Sequence, residues 1–299
     1  MDAPWRRDCL GASDAPALAG VDPFRTAGDV WLQKTGRLPD EERPFGEVSA
    51  IALGSAIGPL LVGMAAEKLH RAVAGEVWYR HPTAPLGCSV DGIVLDSPGV
   101  LIEAKTSGLL GPLPEHASWG EDGSDEVPES VIIQVHHSLA VLDAQPDVPV
   151  IRQIVVPALI GGRGFRCYRI ERDDSLVEQL YEMETDWWHQ YVEGDRCPPD
   201  DPPSMSTLRR QLRQPDAPPR TVDNTYVVEW RAAKDVLKQA EKMEEYCRRL
   251  VIADLGDGEI GECEAGRLTY RAVHRAAYMV PQGVVRTLRY SPRDKRKVA

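Results

Sequence analysis

Paired cysteines are missing from this sequence: Cys9, Cys88, Cys167, Cys197, Cys247 and Cys263 are scattered through 299 residues with no C-x-x-C spacing. That argues against a structural zinc site, a disulfide scaffold and an iron–sulfur centre, each of which needs thiols close together. No apolar run approaches the roughly 20 residues that span a bilayer. Residues 1–7 lack the apolar stretch of a secretion signal, so a cytoplasmic protein is expected. Also absent are an internal repeat, a phosphate-cradling P-loop, a dinucleotide-binding fingerprint and a serine-nucleophile motif, which leaves ATP-driven and acyl-transfer chemistry without support. Excess positive charge is lacking too. The formal net charge is −11, awkward for a protein that binds nucleic acid through phosphates. A basic lining can coexist with an acidic exterior, so nucleic acid stays open as a partner.

What is present is an ordinary globular composition, 42% hydrophobic and 27% charged. One stretch stands apart. Residues 86–105, LGCSVDGIVLDSPGVLIEAK, contain two apolar runs, 88–95 and 100–106, around the turn-rich Asp96-Ser97-Pro98-Gly99. This is the pattern of a β-hairpin with a four-residue loop, and it places Asp91 and Glu103 on paired strands. Side-chain alternation then aims Glu103 and Lys105 at one face and Ile102 and Ala104 at the other. A partly exposed sheet face carrying solvated charges is the plain reading of such an E-x-K. The sharper reading is a metal site, because two carboxylates on rigid strands suit Mg²⁺ or Mn²⁺. Such an ion polarises a phosphoryl oxygen and activates water, with a neighbouring Lys to position that water. Without the cation the two carboxylates repel, and one of them is expected to ionise with difficulty.

Asp91-Gly92 followed by Glu103-Ala104-Lys105 resembles the PD-(D/E)XK nuclease superfamily. Four further blocks are similar to its phage recombination exonuclease family, typified by lambda exonuclease and the YqaJ domain. They are Leu10-Gly11-Ala12-Ser13-Asp14-Ala15-Pro16, Trp119-Gly120, Val127-Pro128-Glu129, and Gln134-Val135-His136-His137-Ser138-Leu139. The resemblance covers roughly residues 9–201. It implies an α/β fold with a central mixed sheet flanked by helices, and Mg²⁺ or Mn²⁺ held by Asp91, Glu103 and the main-chain carbonyl of Ala104. It implies further that Lys105 orients the attacking water and that Gln134 assists at the water or a phosphate. The implied activity is 5′-to-3′ digestion of linear double-stranded DNA, leaving a 3′ strand for a single-strand annealing protein. A ring-shaped homotrimer is the implied assembly.

One position departs from the family. Its G-x-x-x-E-P segment reads Gly54-Ser55-Ala56-Ile57-Gly58-Pro59 here, so Gly58 stands where a metal-site Glu is expected. Glu67 and His70 fall too far along the helix to substitute. Two readings remain open beside the exonuclease: a nuclease fold weakened to a DNA-binding protein by Gly58, and an endonuclease of the same superfamily.

The remaining chain reads as support. Ser13-Asp14 before Ala15-Pro16 signals a helix start, and a second helix is expected from Thr26. By resemblance Ser13 lies near a DNA phosphate, although a simple cap is as good an account; Arg25 and Arg7 are weaker phosphate candidates. Residues 49–74 form a long Ala/Leu-rich helical pattern that should pack on the sheet. Trp119, in the Gly- and Pro-rich stretch 107–129, is a candidate for stacking on a base, against the commoner fate of packing. A helix is expected from Pro128, with Ile132, Val135, Leu139 and Leu142 as its buried stripe, and His136 and His137 as structural or supporting residues. A hairpin over 148–170 should extend the sheet, and a helix over 174–192 should bury Trp187. The expected organisation is a nuclease core over 1–199, a Pro-rich linker over 200–221, and a carboxyl-terminal subdomain over 222–299 made of one helix and a β-meander.

Overall fold

The computed structural model describes residues 7–39, 50–111, 118–211 and 218–272. The chain divides into two compact units, Met1–Arg213 and Gln214–Ala299.

Within the first unit, α/β architecture is observed as expected. The chain runs through β1 (Leu10–Gly11), α1 (Ala15–Leu18), α2 (Ala27–Lys34), α3 (Ala50–Leu69), β2 (Val77–Arg80), β3 (Leu86–Val90) and β4 (Gly92–Val94). It continues through β5 (Gly99–Ile102), β6 (Lys105–Ser107), α4 (Glu129–Leu142), β7 (Ile151–Ile160), β8 (Gly164–Glu171), α5 (Asp174–Trp187) and α6 (Met205–Arg210). A π-helical turn, Trp188–Glu193, extends α5. In place of one central sheet there are two: β1-β3-β2, and β4-β5-β7-β6 with β8 on the other edge of β7.

The division falls at Asp91, and this corrects the expectation of two unbroken strands. β3 pairs with β1 and β2, whereas β4 pairs with β5 after a change of sheet at that one residue. Gly92 permits the change: a Cβ there would sit 2.9 Å from Val62 and Val73. The second strand of the hairpin is interrupted as well, at Glu103 and Ala104, between β5 and β6. Both halves run parallel to β7 in one register, Ile102 beside Val155 and Lys105 beside Ala158. Glu103 donates its N–H to the Val155 carbonyl at 3.0 Å. The next rung would need an N–H from residue 157, which is Pro157 and has none. Thus a proline in β7 breaks the ladder beside Glu103.

Leu101, Val135, Leu139, Ile154 and Tyr168 form the main core between the sheet and α4. Against the opposite face, Val62 and Ala65 of α3 pack on Val100, Ile102 and Val155. By length and composition Ala52–Leu69 would suffice to cross a bilayer, contrary to the expectation of no such run; here it lies along β6 and β7 instead. Trp187 and Trp188 are buried as expected. The start of the stretch read as a linker is docked: Asp201 accepts a hydrogen bond from Ala27 at 2.7 Å, and the Ser204 N–H donates to Asp29 at 2.8 Å. All six cysteines are free thiols.

The second unit contains α7 (Asn224–Leu255), β9 (Ile260–Cys263) and β10 (Gly266–Thr269), the last two an antiparallel pair. The helix matches expectation. Residues 264–265 form the turn between β9 and β10, and the later part of the expected meander lies outside the described residues.

Candidate active site

The interruptions at Asp91 and at Glu103-Ala104 face one another. Gly92 pairs with Ile102, and continuing that register sets Asp91 opposite Glu103. The Ala104 N–H turns to Asp91 Oδ2 at 2.8 Å, so main chain and carboxylate are locked together.

Glu103 is buried, and two groups meet on its carboxylate. Lys105 Nζ donates to Glu103 Oε1 at 2.9 Å, and Gln134 Nε2 donates to the same oxygen at 2.7 Å. Lys105 Nζ also donates to Gln134 Oε1 at 2.7 Å, closing a three-membered network. This fixes the amide orientation of Gln134, because its oxygen can only accept and its nitrogen only donate. An ammonium has three N–H groups, so one on Lys105 remains for water or a phosphate oxygen. Glu103 Oε2 and Asp91 Oδ1 take no hydrogen bond among the described residues and form the open edge of the site.

Burial, reinforced by the charge of Glu103, raises the Asp91 carboxyl to about 7, while the Ala104 N–H and Lys105 pull in the other direction. The repulsion expected from the sequence is therefore present and falls on Asp91. Two facing oxygen acids with one lysine between them leave negative charge uncompensated. That donor set fits a hard divalent cation such as Mg²⁺ or Mn²⁺.

Asp91, Glu103, Ala104, Lys105 and Gln134 are thus brought together. Gly58 lies on α3, between Gly54, where a Cβ would meet Thr106 Oγ1 at 3.2 Å, and Val62, which abuts Gly92. It is bracketed by the two strand interruptions on the α3 side of the sheet. A Cβ at Gly58 would meet nothing within 4 Å.

The residues proposed for DNA contact fare differently. Ser13 is exposed, with its carbonyl near Arg25 Nη1 at 3.5 Å. Arg25 is engaged by Asp14 at 3.0 Å and by Gln33 at 2.8 Å. Lys34 pairs with the same buried aspartate, and together the two cations hold the Asp14 carboxyl well below the usual range despite its burial. Sequence reading missed this cluster, since Lys34 sits in an otherwise unremarkable helix end. Asp14 accepts from the Gly11 N–H behind it instead of capping α1. Trp119 is a correction: it is 7% exposed and packs on Tyr168 with ring centroids 5.2 Å apart, so its faces are not offered to a base.

Both α4 histidines are structural. His136 Nδ1 faces the Ile132 carbonyl, while Nε2 accepts from the Asp173 N–H at 3.1 Å; burial lowers its pKa. His137 is buried between the Glu184 carboxylate and the Gly87 carbonyl, both acceptors, which requires protons on both ring nitrogens. Burial opposes that charge, but Glu184 overcomes it and the pKa is raised. The pair fastens α4 and α5 to β3, four residues before Asp91.

Residues 3–145 match the YqaJ-like viral recombinase domain family. The chain is 31% identical over 198 residues to the uncharacterized protein YqaJ of Bacillus subtilis; the match takes in 64% of this chain and 56% of that relative, little more than half its length. An alkaline exonuclease of Laribacter hongkongensis, LHK-Exo, overlays with a TM-score of 0.40 at 17% identity, over 64% of this chain and 92% of that one. A putative exonuclease of Eubacterium rectale overlays with a TM-score of 0.44 at 9% identity, over 72% of this chain and 92% of that one.

Proposed function

We propose that this chain, which carries a YqaJ-like viral recombinase domain over residues 3–145, is a divalent-metal-dependent deoxyribonuclease that digests linear double-stranded DNA from its ends. The single observation that carries the reading is the network in which Lys105 and Gln134 converge on Glu103 while Asp91 stands opposite.

Asp91, Glu103 and the carbonyl of Ala104 would hold the cation, which when bound supplies Lewis-acid polarisation of the scissile phosphate and offsets its developing charge. Lys105 directs its remaining N–H at the attacking water or a phosphate oxygen. Gln134 holds Lys105 in that orientation and occupies the Glu103 oxygen nearest to it. Water adds to phosphorus, the P–O bond to the sugar breaks, and the proton leaves to solvent or the departing oxygen. Digestion in the 5′-to-3′ direction, handover of a 3′ strand to a single-strand annealing protein, assembly as a homotrimer and a cytoplasmic location complete the proposal.

Gly58 favours a second reading, a nuclease fold that binds DNA and metal but turns over poorly for want of an acid. The deciding experiment compares linear with closed circular duplex DNA in Mg²⁺, for the parent chain and Lys105→Ala. Loss of linear DNA only, abolished by Lys105→Ala, is expected. Cleavage of circles would make the enzyme an endonuclease, and no cleavage of either would favour the binding protein.

A further inference from the structure

In the second unit, α7 carries a long apolar stripe, and among the described residues no side chain of that helix is buried. Ala233, Val236, Ala240, Met243, Cys247 and Leu250 recur at alternating spacings of three and four. That pattern sets them on one face of a 32-residue helix, about 48 Å long. Tyr226, Leu237 and Val251 widen the face on one side. Tyr226, Val236, Leu237, Met243, Leu250 and Val251 are 46–66% exposed. With the smaller residues between them they offer on the order of 800 Å² to a partner, which is what each side of a standard interface contributes. An exposed patch of that size on a soluble protein marks an interaction surface.

We propose that the stripe is covered by α7 of a second copy of this chain, running antiparallel about a two-fold axis at Lys238. Volume and charge both favour this arrangement. In a parallel, in-register pair Ala233 and Ala240 meet their own copies, as Met243 does, so gaps alternate with crowded layers. Reversed about Lys238, Val236 falls opposite the partner's Ala240, and Met243 opposite the partner's Ala233. Each of these contacts occurs twice, and a bulky residue meets a small one every time. Lys234, Glu241 and Arg248 repeat every seven residues along one flank of the stripe. A two-fold antiparallel pair sets that flank against its own copy. Lys234 then lies beside the partner's Glu241, and Glu241 beside the partner's Lys234. The Trp230 ring, its centroid 4.9 Å from the Lys234 ammonium, holds that cation on the same flank. A parallel copy would bring the partner's Gln239 and the partner's Tyr246 there and leave both charges unanswered. An amphipathic helix draws most of its stability from what its apolar face packs against, so pairing also accounts for α7 itself. Pairing of this kind does not depend on nuclease activity and joins chains two by two, including chains already in a ring.

Analytical ultracentrifugation of the full chain at low salt tests this. Parent particles should hold an even number of chains, and Met243→Asp should halve their mass. Lys234→Glu is expected to raise the dissociation constant about tenfold, as is Glu241→Lys, because each replaces two attractive contacts by repulsive ones that salt leaves unscreened. The double variant Lys234→Glu/Glu241→Lys should recover parent affinity, and Lys238→Glu, on the opposite face of α7, should leave it unchanged. Mild oxidation should yield no Cys247–Cys247 disulfide although that thiol is exposed, since Cys247 falls opposite the partner's Glu229. Parent particles of one or three chains overturn the proposal, and so does parent mass retained by Met243→Asp. Failure of the double variant to recover, or a Cys247–Cys247 disulfide, overturns the antiparallel pairing and the proposal with it.

Discussion

Lys105 Nζ and Gln134 Oε1 lie 2.7 Å apart although 29 residues separate them in the chain. One sits where β6 leaves the interrupted strand, the other on the second turn of α4, and both reach the same oxygen of Glu103. A lysine on a flexible stem acquires a fixed direction this way, which is what orientation of a water demands.

Removing that direction should cost rate before affinity. Gln134→Ala is expected to lower kcat on linear duplex DNA about 10- to 100-fold with little change in KM. Lys105→Ala should abolish detectable turnover while thermal unfolding shows a folded chain. Steady-state digestion of an end-labelled duplex measures both, and equal loss in kcat and KM terms for Gln134→Ala would contradict the orienting role.

A carboxyl held at about 7 makes metal binding compete with a proton. Mn²⁺ affinity should rise about tenfold from pH 6 to 8 and level off above that, with close to one proton released per ion at pH 6 and below and about half a proton near pH 7, seen as buffer-dependent heats. The stability of the metal-free chain has the opposite slope. Unfolded Asp ionises near 3.8 and folded Asp91 near 7, so the folded state retains the extra proton and loses stability as pH climbs between those values. Asp91→Asn should therefore flatten that decline in a melting-temperature series.

Position 58 has room for a side chain. Gly58→Glu should fold and gain about 0.5–1 kcal/mol in stability from better helix propensity. Its activity reveals which acid the site uses. A parent chain that already digests linear DNA, with the variant changed less than threefold, would mean the missing Glu is tolerated; activity in the variant alone would mean the parent is disabled.

The buried pair of His137 and Glu184 should be worth more to stability than its surroundings suggest. Glu184→Gln leaves a buried imidazolium without its partner and is expected to cost about 3–5 kcal/mol. Since the folded pKa of His137 is raised, its contribution is complete below the unfolded value near 6.5 and fades as pH rises through the raised one. Urea midpoints for the parent should fall across that window, and those of His137→Gln should not.

Trp119→Ala should act on folding rather than on DNA. A buried Trp packed on Tyr168 leaves a cavity when truncated, costing about 3–5 kcal/mol. Base-stacking would show instead as weakened DNA binding at unchanged stability.

Much of this was legible in the chain. Apolar spacing located α3, α4 and α5, the hairpin expected over 148–170 stands as β7 and β8, and Thr26 proved the cap of α2, with Asp29 completing a capping box. Asp91, Glu103 and Lys105 could be picked out as one of two readings of the hairpin by residue type and alternation, and Gln134 only through the resemblance to the exonuclease family. Alternation and helix periodicity are legible because they need only near neighbours.

Pairing partners were not legible, because they depend on segments distant in sequence. Glu103 and Lys105 were foreseen on one face, but nothing local said that Pro157 would withhold an N–H beside Glu103 or that Asp91 would sit where one sheet becomes two. Nor did any pattern mark Trp119 as core, or tie Arg25 and Lys34 to Asp14. The sequence by itself determined which chemical groups are available and the short elements that carry them. Tertiary structure alone decided which of those groups face each other, since register and burial follow from how whole strands and helices pack, and those contacts set Asp91's proton affinity and Lys105's direction.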